Sequence, residues 1–221
     1  MSFLIKDYGI IKFYIFLISF ERDLNDKFFF YYMGAKNKEI EVKFPLKNPE
    51  EVVKLLETNA LLISKDVFQR DMYYTPKHRN FLEIKYPFEW LRVRETDKGC
   101  SINYKHFHPE GVEKTDYCDE FESPIGNAPA VKEILRALDF KEIVIVEKNR
   151  TVWQFKDVEI MIDNVRDFGV FIELETLGDF EDPKQGKEYL YTILKEINAE
   201  VGEEDLRGYP FIILEKQGRV F

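Results

Sequence analysis

From about residue 38 onward, apolar and polar side chains alternate with a period of two over eight stretches: 38–46, 62–75, 89–96, 100–108, 113–123, 141–154, 157–165 and 168–177. Successive strand residues point to opposite faces, so each stretch predicts a β-strand with one apolar and one polar side. Connections such as Asp97-Lys98-Gly99, His108-Pro109-Glu110-Gly111 and Asp167-Phe168-Gly169 are too short for crossovers and predict antiparallel hairpins. Three other segments carry helical signals. Asn48-Pro49-Glu50-Glu51 supplies a cap, a first-turn proline and acids matched to the helix dipole, opening a helix through Glu57. Asn127 with Pro129 opens a second through Leu138. A third runs from about Pro183 to Ala199, with Tyr189, Leu190, Ile193, Leu194 and Ile197 on one stripe.

Sorting the strands by parity puts charge on one face of nearly all of them. Glu39, Glu41 and Lys43 oppose Ile40, Val42 and Phe44; Arg92 and Arg94 oppose Leu91 and Val93; Lys105 with Asn103 opposes Ile102 and Tyr104. Glu120 and Glu122 share a face, as do Lys148 and Arg150. Asp163 opposes Ile162, and Glu173 with Glu175 oppose Ile172 and Leu174. Two architectures produce such a pattern. An open antiparallel sheet with one solvated face alternates in this way, and its charges are interchangeable. Alternatively, eight strands close into a barrel whose apolar outside is covered by helices and whose interior holds both signs of charge, which is costly unless the charges pair or bind ions. The signs sort strand by strand, with bases at 92/94, 105 and 148/150 and acids at 39/41, 120/122 and 173/175. A chamber of that kind matches a polyphosphate with a divalent cation: guanidinium and ammonium groups take phosphate oxygens while carboxylates hold Mg2+ or Mn2+. The pattern alone leaves both architectures open.

Composition narrows the partners. The chain has 221 residues and a net charge of −9, which disfavours duplex nucleic acid or an anionic membrane surface. Cys100 and Cys118 form neither a disulfide framework nor the paired spacing of a zinc site, as expected of a cytoplasmic protein. Residues 1–32 stand apart, with 11 of the 34 aromatic residues and four acids balanced by four bases. Their apolar run from Tyr8 to Phe20 contains Lys12 and falls short of the ~20 residues that span a bilayer. Met33 opens a stretch that reads as a natural start. Two segments are therefore expected: 1–32, an extension outside the fold, and 33–221, the strand-rich domain. Neither GxxxxGKS/T nor GxGxxG occurs, so side chains must bind any phosphate. His106 and His108 form an HxH pair on the face opposite Lys105, without a neighbouring cysteine or third histidine, and are expected to serve surface or packing.

Glu39-Ile40-Glu41-Val42-Lys43 fits ExExK at the head of the first strand. It is followed in order by Gln69-Arg70-Asp71-Met72-Tyr73-Tyr74, Leu91-Arg92-Val93-Arg94, Tyr104-Lys105, Glu120 with Glu122, Glu147-Lys148-Asn149-Arg150, Ile162-Asp163-Asn164-Val165 and the run from Phe168 to Glu175. Over about residues 38–215 this order resembles the CYTH domain, or triphosphate tunnel metalloenzymes, and within it the class IV adenylyl cyclase branch. The resemblance implies an α+β fold, a closed eight-stranded antiparallel β-barrel with helices packed outside. It implies metal binding by Glu39, Glu41, Asp163, Glu173 and Glu175. It implies phosphate binding by Lys43, Arg92, Arg94, Lys105, Lys148 and Arg150, with Lys43 and Lys105 catalytic and Asp71, Tyr73, Glu120 and Glu122 lining the tunnel. The implied substrate is a triphosphate small molecule, with Mg2+ or Mn2+ as cofactor. Cyclisation of ATP to cyclic AMP and pyrophosphate is the first expectation. Hydrolysis of inorganic, thiamine or nucleoside triphosphate is the alternative, and a non-enzymatic polyphosphate-binding module the third. Neither nucleic acid nor membrane is expected as a partner, and a homodimer is left open. Three positions depart from the family pattern: Cys118 stands where members often carry Arg, His106 replaces the glycine usual after the Lys105 position, and the C-terminal Ser-Tyr is present as Gly208-Tyr209. None removes a carboxylate, so metal binding is expected to survive.

Overall fold

The computed structural model describes residues 38–178 and 180–219, so the expectations for 1–32 lie outside the described residues. Nine strands form one antiparallel sheet: β1 (Lys38–Glu39), β2 (Glu41–Pro45), β3 (Leu61–Pro76), β4 (Glu89–Thr96), β5 (Gly99–His108), β6 (Tyr117–Ile125), β7 (Phe140–Phe155), β8 (Val158–Val165) and β9 (Gly169–Thr176). Their order, β1-β6-β5-β4-β3-β7-β8-β9-β2, puts consecutive pieces of chain at the two ends of the sheet. Lys38 and Glu39 pair with Asp119 and Cys118, whereas Glu41 through Pro45 pair with Glu175 through Phe171. The expected first strand is thus one segment interrupted at Ile40. By bonding to a neighbour on each side it closes the sheet into a barrel, and its interruption accounts for the ninth strand.

The remaining boundaries follow the expectation closely, except that β6 begins at Tyr117 rather than at 113. The Asp116 amide bonds back to the His108 carbonyl, so residues 109–116 form the connecting loop. Helices α1 (Pro49–Asn59), α2 (Ala128–Ala137) and α3 (Pro183–Glu196) occupy the expected segments. Asn127 caps α2 by accepting from the Ala130 amide at 3.0 Å. Asn48 does not cap α1 with its side chain. It accepts from the Glu200 amide at 2.8 Å and donates to the Asn198 carbonyl at 3.0 Å, tying the start of α1 to the chain after α3. α3 stops short of Ala199 because Asn198 takes the left-handed conformation, φ 54°. A fourth helix, α4 (Tyr209–Lys216), lies where the sequence carries no helical signal.

The apolar parity of the strands lies outside the barrel. Ile40, Val42 and Phe44 join Ile160, Ile162, Ile172 and Leu174 beneath Val52 and Leu56 of α1 and Leu190, Ile193 and Leu194 of α3. Met72, Tyr74, Leu91 and Val93 pack under Ala128 and Leu135 of α2. Each large side chain buried in this way contributes about 1.5–3 kcal/mol, which fixes strand register and sends the charged parity inward. On the inward parity, one level of the barrel is apolar: Tyr73, Trp90, Phe107, Val144, Val146, Val165 and Phe171 cluster with Tyr209, Phe211 and Leu214 of α4. Among the described residues no helix is long and apolar enough to cross a membrane.

Candidate active site

Adjacent to that apolar level, the charged positions of all the strands face a common interior. Strands β5, β4, β3 and β7 are contiguous and contribute Lys105, then Arg92 and Arg94, Asp71, and Lys148 with Arg150. Strands β8, β9, β2, β1 and β6 complete the circle with Asp163 and Glu159, Glu173 and Glu175, Glu41 and Lys43, Glu39, and Glu120 with Glu122. One wall is therefore basic around a single acid, Asp71, and the other acidic around a single base, Lys43. All fifteen residues that the sequence singles out lie on this inward parity.

On the basic wall, Asp71 is 1% exposed and accepts from Nε and Nη2 of Arg94 at 2.7 Å each, with Arg92 at 3.6 Å. Burial alone raises a carboxyl pKa, but these guanidiniums reverse it and hold Asp71 well below the usual range. Tyr73 lies beside Arg92, and burial raises its hydroxyl pKa. Where the walls meet, Asp163 accepts from Arg150 Nε and Nη2 at 2.7 and 2.6 Å, from Lys148 at 2.7 Å and from the Tyr209 hydroxyl at 2.8 Å. Burial opposes its charge, yet Arg150 and Lys148 keep it ionised, at about 2. Lys148 moves the other way. Burial, then Arg150, push its ammonium down to about 7 against the pull of Asp163.

The acidic wall is differently balanced. Lys105 reaches across to Glu39 at 2.6 Å, Glu41 at 3.2 Å and Glu120 at 3.8 Å. Lys43 sits 2.9 Å from Glu173 and 3.7 Å from Glu41, and Arg150 reaches Glu173 at 3.3 Å. These cations outweigh burial at Glu41 and Glu173, whose pKa values fall, and hold Glu120 at about 2. They do not suffice for the rest. Burial raises Glu39 well above its ordinary value, with Glu120, Glu175 and Glu41 adding repulsion, and Glu175 is pushed up to about 8 by burial and by Glu120, Glu159 and Glu41. Glu122 accepts from the Ser101 hydroxyl at 2.6 Å. Register places Glu41, Glu175 and Glu159 opposite one another on three adjacent strands.

Glu159, Tyr209 and Cys118 belong to the interior but not to the set that the sequence motifs mark. Glu159 shares the parity of Asp163, which is a sufficient signal. Tyr209 stands in the sequence only as half of a degenerate Ser-Tyr pair. Cys118 stands there only as a missing Arg; it is 1% exposed and its thiol donates to Glu39 at 3.1 Å, while burial and that carboxyl raise its own pKa.

The CYTH domain family model matches residues 37–209. The chain belongs to the CYTH-domain family. A Methanocaldococcus jannaschii relative named "Putative adenylate cyclase" is 30% identical over 161 residues, covering 72% of this CYTH chain and 89% of its own. A Pyrococcus horikoshii protein of solved structure superposes with a TM-score of 0.68 at 29% identity, covering 80% of this chain and 99% of that one. At 18% identity and a TM-score of 0.52, a Hippeastrum protein shares the fold over 83% of this chain and 97% of its own; it is named a "Putative adenylyl cyclase" and described as having a dominant triphosphatase activity.

Proposed function

We propose that the barrel interior binds a triphosphate together with Mg2+ or Mn2+ and acts on it as an enzyme. The observation that supports this is the division of the interior into a basic and an acidic wall, since a polyphosphate and its counter-cation present opposite charges along one ligand. Glu39, Glu41, Glu173 and Glu175 offer an all-oxygen donor set, which fits a hard cation. The raised pKa values of Glu39 and Glu175 reflect a wall short of positive charge, a second reason the residues fit a cation. These four carboxylates hold the metal, and Asp163 assists by fixing Arg150 and Lys148. Lys43, Arg92, Arg94, Lys105, Lys148 and Arg150 grip the phosphates, with Asp71, Tyr73, Glu120 and Glu122 lining the path.

When bound, the cation draws charge from the phosphate oxygens and lowers the pKa of the attacking hydroxyl or water. Lys43 and Lys105 each resist deprotonation: burial opposes their charge, but Glu173 and Glu41 for the first, and Glu120, Glu39 and Glu41 for the second, raise their pKa values. They act as fixed positive charges facing the negative charge that builds on the departing phosphate, which is how preorganised groups lower a barrier. Cyclisation of ATP to cyclic AMP and pyrophosphate is the first reading, supported by the name of the 30% identical M. jannaschii relative. Hydrolysis of a triphosphate is the second, supported by the activity described for the Hippeastrum protein of the same fold. Incubation with ATP, tripolyphosphate and thiamine triphosphate in Mg2+ or Mn2+, followed by phosphorus NMR, separates them. Pyrophosphate with a cyclic phosphodiester supports the cyclase and orthophosphate the hydrolase. Binding without turnover contradicts the enzymatic proposal, and no binding of any of the three contradicts the whole of it.

A further inference from the structure

His106 and His108 occupy the outward parity of β5, on the other side of the barrel wall from Lys105. Their rings stack at 4.6 Å and 9°. Glu110, in the loop that follows β5, meets His106 Nε2 at 2.9 Å, and Asp119 of β6 meets His108 Nε2 at 2.9 Å. One ligand atom from each of His106, His108 and Glu110 falls within 4.8 Å of the others. We propose that His106, His108 and Glu110 form a second metal site, for a divalent transition-metal ion of the zinc class, on the outer face of the barrel, with Asp119 orienting His108.

The geometry is close to what such an ion needs. Metal bonds of about 2.0–2.1 Å in a tetrahedral site put ligand atoms roughly 3.3 Å apart. The His106–Glu110 contact is already near that spacing, and the ion takes the place of the proton these two groups share. The remaining contraction falls on side chains with room to move: Glu110 is 55% exposed, and both imidazoles are 26% exposed. Two histidines separated by one strand residue project from the same face and can reach one ion. A ligating histidine commonly gives its other ring N–H to a carboxylate, which fixes tautomer and orientation. Asp119 stands where it accepts that proton from His108 Nε2, leaving Nδ1 for the metal. The rings are held in place by neighbours: Phe88 lies 5.3 Å from His106, Tyr104 is edge-on to it at 6.4 Å, and Tyr117 stacks on His108 at 4.8 Å.

Donor chemistry separates this site from the interior. Two imidazoles favour Zn2+, Co2+, Ni2+ or Cu2+, whereas the interior offers the metal carboxylates, which suit Mg2+ and Mn2+. Through Glu110 the ion ties the 109–116 loop to β5, and through Asp119 it is linked to β6.

The test uses the full-length chain and its three histidines, the third being His78. Zn2+ is titrated while the ring nitrogens are followed by long-range proton–nitrogen NMR. One equivalent is expected to shift the His106 and His108 nitrogens and leave His78 and the effect of Mg2+ unmoved. Affinity read from those shifts should fall at least tenfold in His106→Gln and in His108→Gln and persist in Glu41→Gln. Equal shifts at His78, or undiminished affinity in both histidine variants, would overturn the proposal. The wild-type spectrum decides even where a variant does not fold.

Discussion

On the basic wall Asp71 sits between Arg92 and Arg94, and the carboxyls that these guanidiniums and the Arg150–Lys148 pair grip most closely, Asp71 and Asp163, are held ionised. On the acidic wall Glu39 and Glu175 are driven toward their protonated forms by burial and by one another's neighbours, although Lys105 and Lys43 stand among them. Both walls are built from the same alternation of strand residues and lie behind the same apolar shell. What separates them is how each acid is paired: Asp71 is gripped by two guanidiniums, whereas Glu39 and Glu175 stand chiefly among other acids. Asp71 is the built-in counter-charge of Arg92 and Arg94, so removing it should damage the fold. The acidic wall is short of cations, so removing an acid there should cost the fold little and cost metal affinity much.

The largest effect should therefore come from Asp71→Ala, which leaves two largely buried guanidiniums without their shared partner. A loss of about 3–5 kcal/mol in denaturant unfolding is expected. Glu175→Gln should cost less than about 1 kcal/mol or stabilise the metal-free protein. Equal losses in the two variants would erase the distinction between the walls.

Metal binding should show the reverse order. Glu41→Gln is expected to weaken Mn2+ at least tenfold, about 1.4 kcal/mol, while Arg94→Ala changes Mn2+ affinity by less than threefold in the absence of phosphate. Electron paramagnetic resonance of free Mn2+ reads both. Comparable losses would place the cation between the walls rather than on the acidic one.

The pH dependence of metal-free stability should carry the same signature. Glu175 in the fold, at about 8, lies above its ordinary value of 4.5, so the folded state keeps a proton that the unfolded state has lost. The stability this adds is complete below 4.5 and disappears as pH rises toward 8. Lys148, lowered to about 7 from 10.5, acts in the opposite sense only above 7, where stability recovers as the unfolded amine is still protonated. Between pH 5 and 7 stability should fall with pH. Because Glu175 is only partly buried, the expected drop is on the order of 1 kcal/mol. Saturating Mn2+ should flatten it and Glu175→Gln should reduce it, the remainder belonging to Glu39, whose pKa burial also raises; a slope unchanged by either would contradict the assignment.

A small effect on both stability and metal affinity is expected at Cys118, whose thiol is a weak donor to Glu39. Cys118→Ala should change stability by about 1 kcal/mol and leave Mn2+ affinity within a factor of three. A tenfold change would mean that the thiol positions Glu39 for the metal.

Much of this contrast is legible in the amino-acid order. Parity alone assigns the inward charges, because burial of Val42, Leu174 and their neighbours leaves a strand only one other face. Closure is not legible from pattern: an open sheet alternates identically, and the order of motifs decides between them. The interruption at Ile40 leaves no trace because the alternation passes through it unbroken. α4 is hidden for the opposite reason, since Tyr-Pro-Phe-Ile-Ile-Leu is apolar all round and has no helical period to detect. Asn48 resembles a helix cap in sequence but is drawn off by the backbone of residues 198 and 200, a partner 150 residues away. Glu159 belongs to none of the motifs, although its parity matches that of Asp163.

The two walls meet in a single ligand if the interior binds a triphosphate with its cation, and calorimetry measures that coupling directly. A hydrolysis-resistant, methylene-bridged triphosphate is titrated into the full chain with and without saturating Mn2+. Affinity should rise at least tenfold with Mn2+, and the rise should vanish in Glu41→Gln while weak, Arg94-dependent binding remains. The same affinity with and without Mn2+ in the wild-type protein would show that the acidic wall serves something other than the cation of a bound triphosphate.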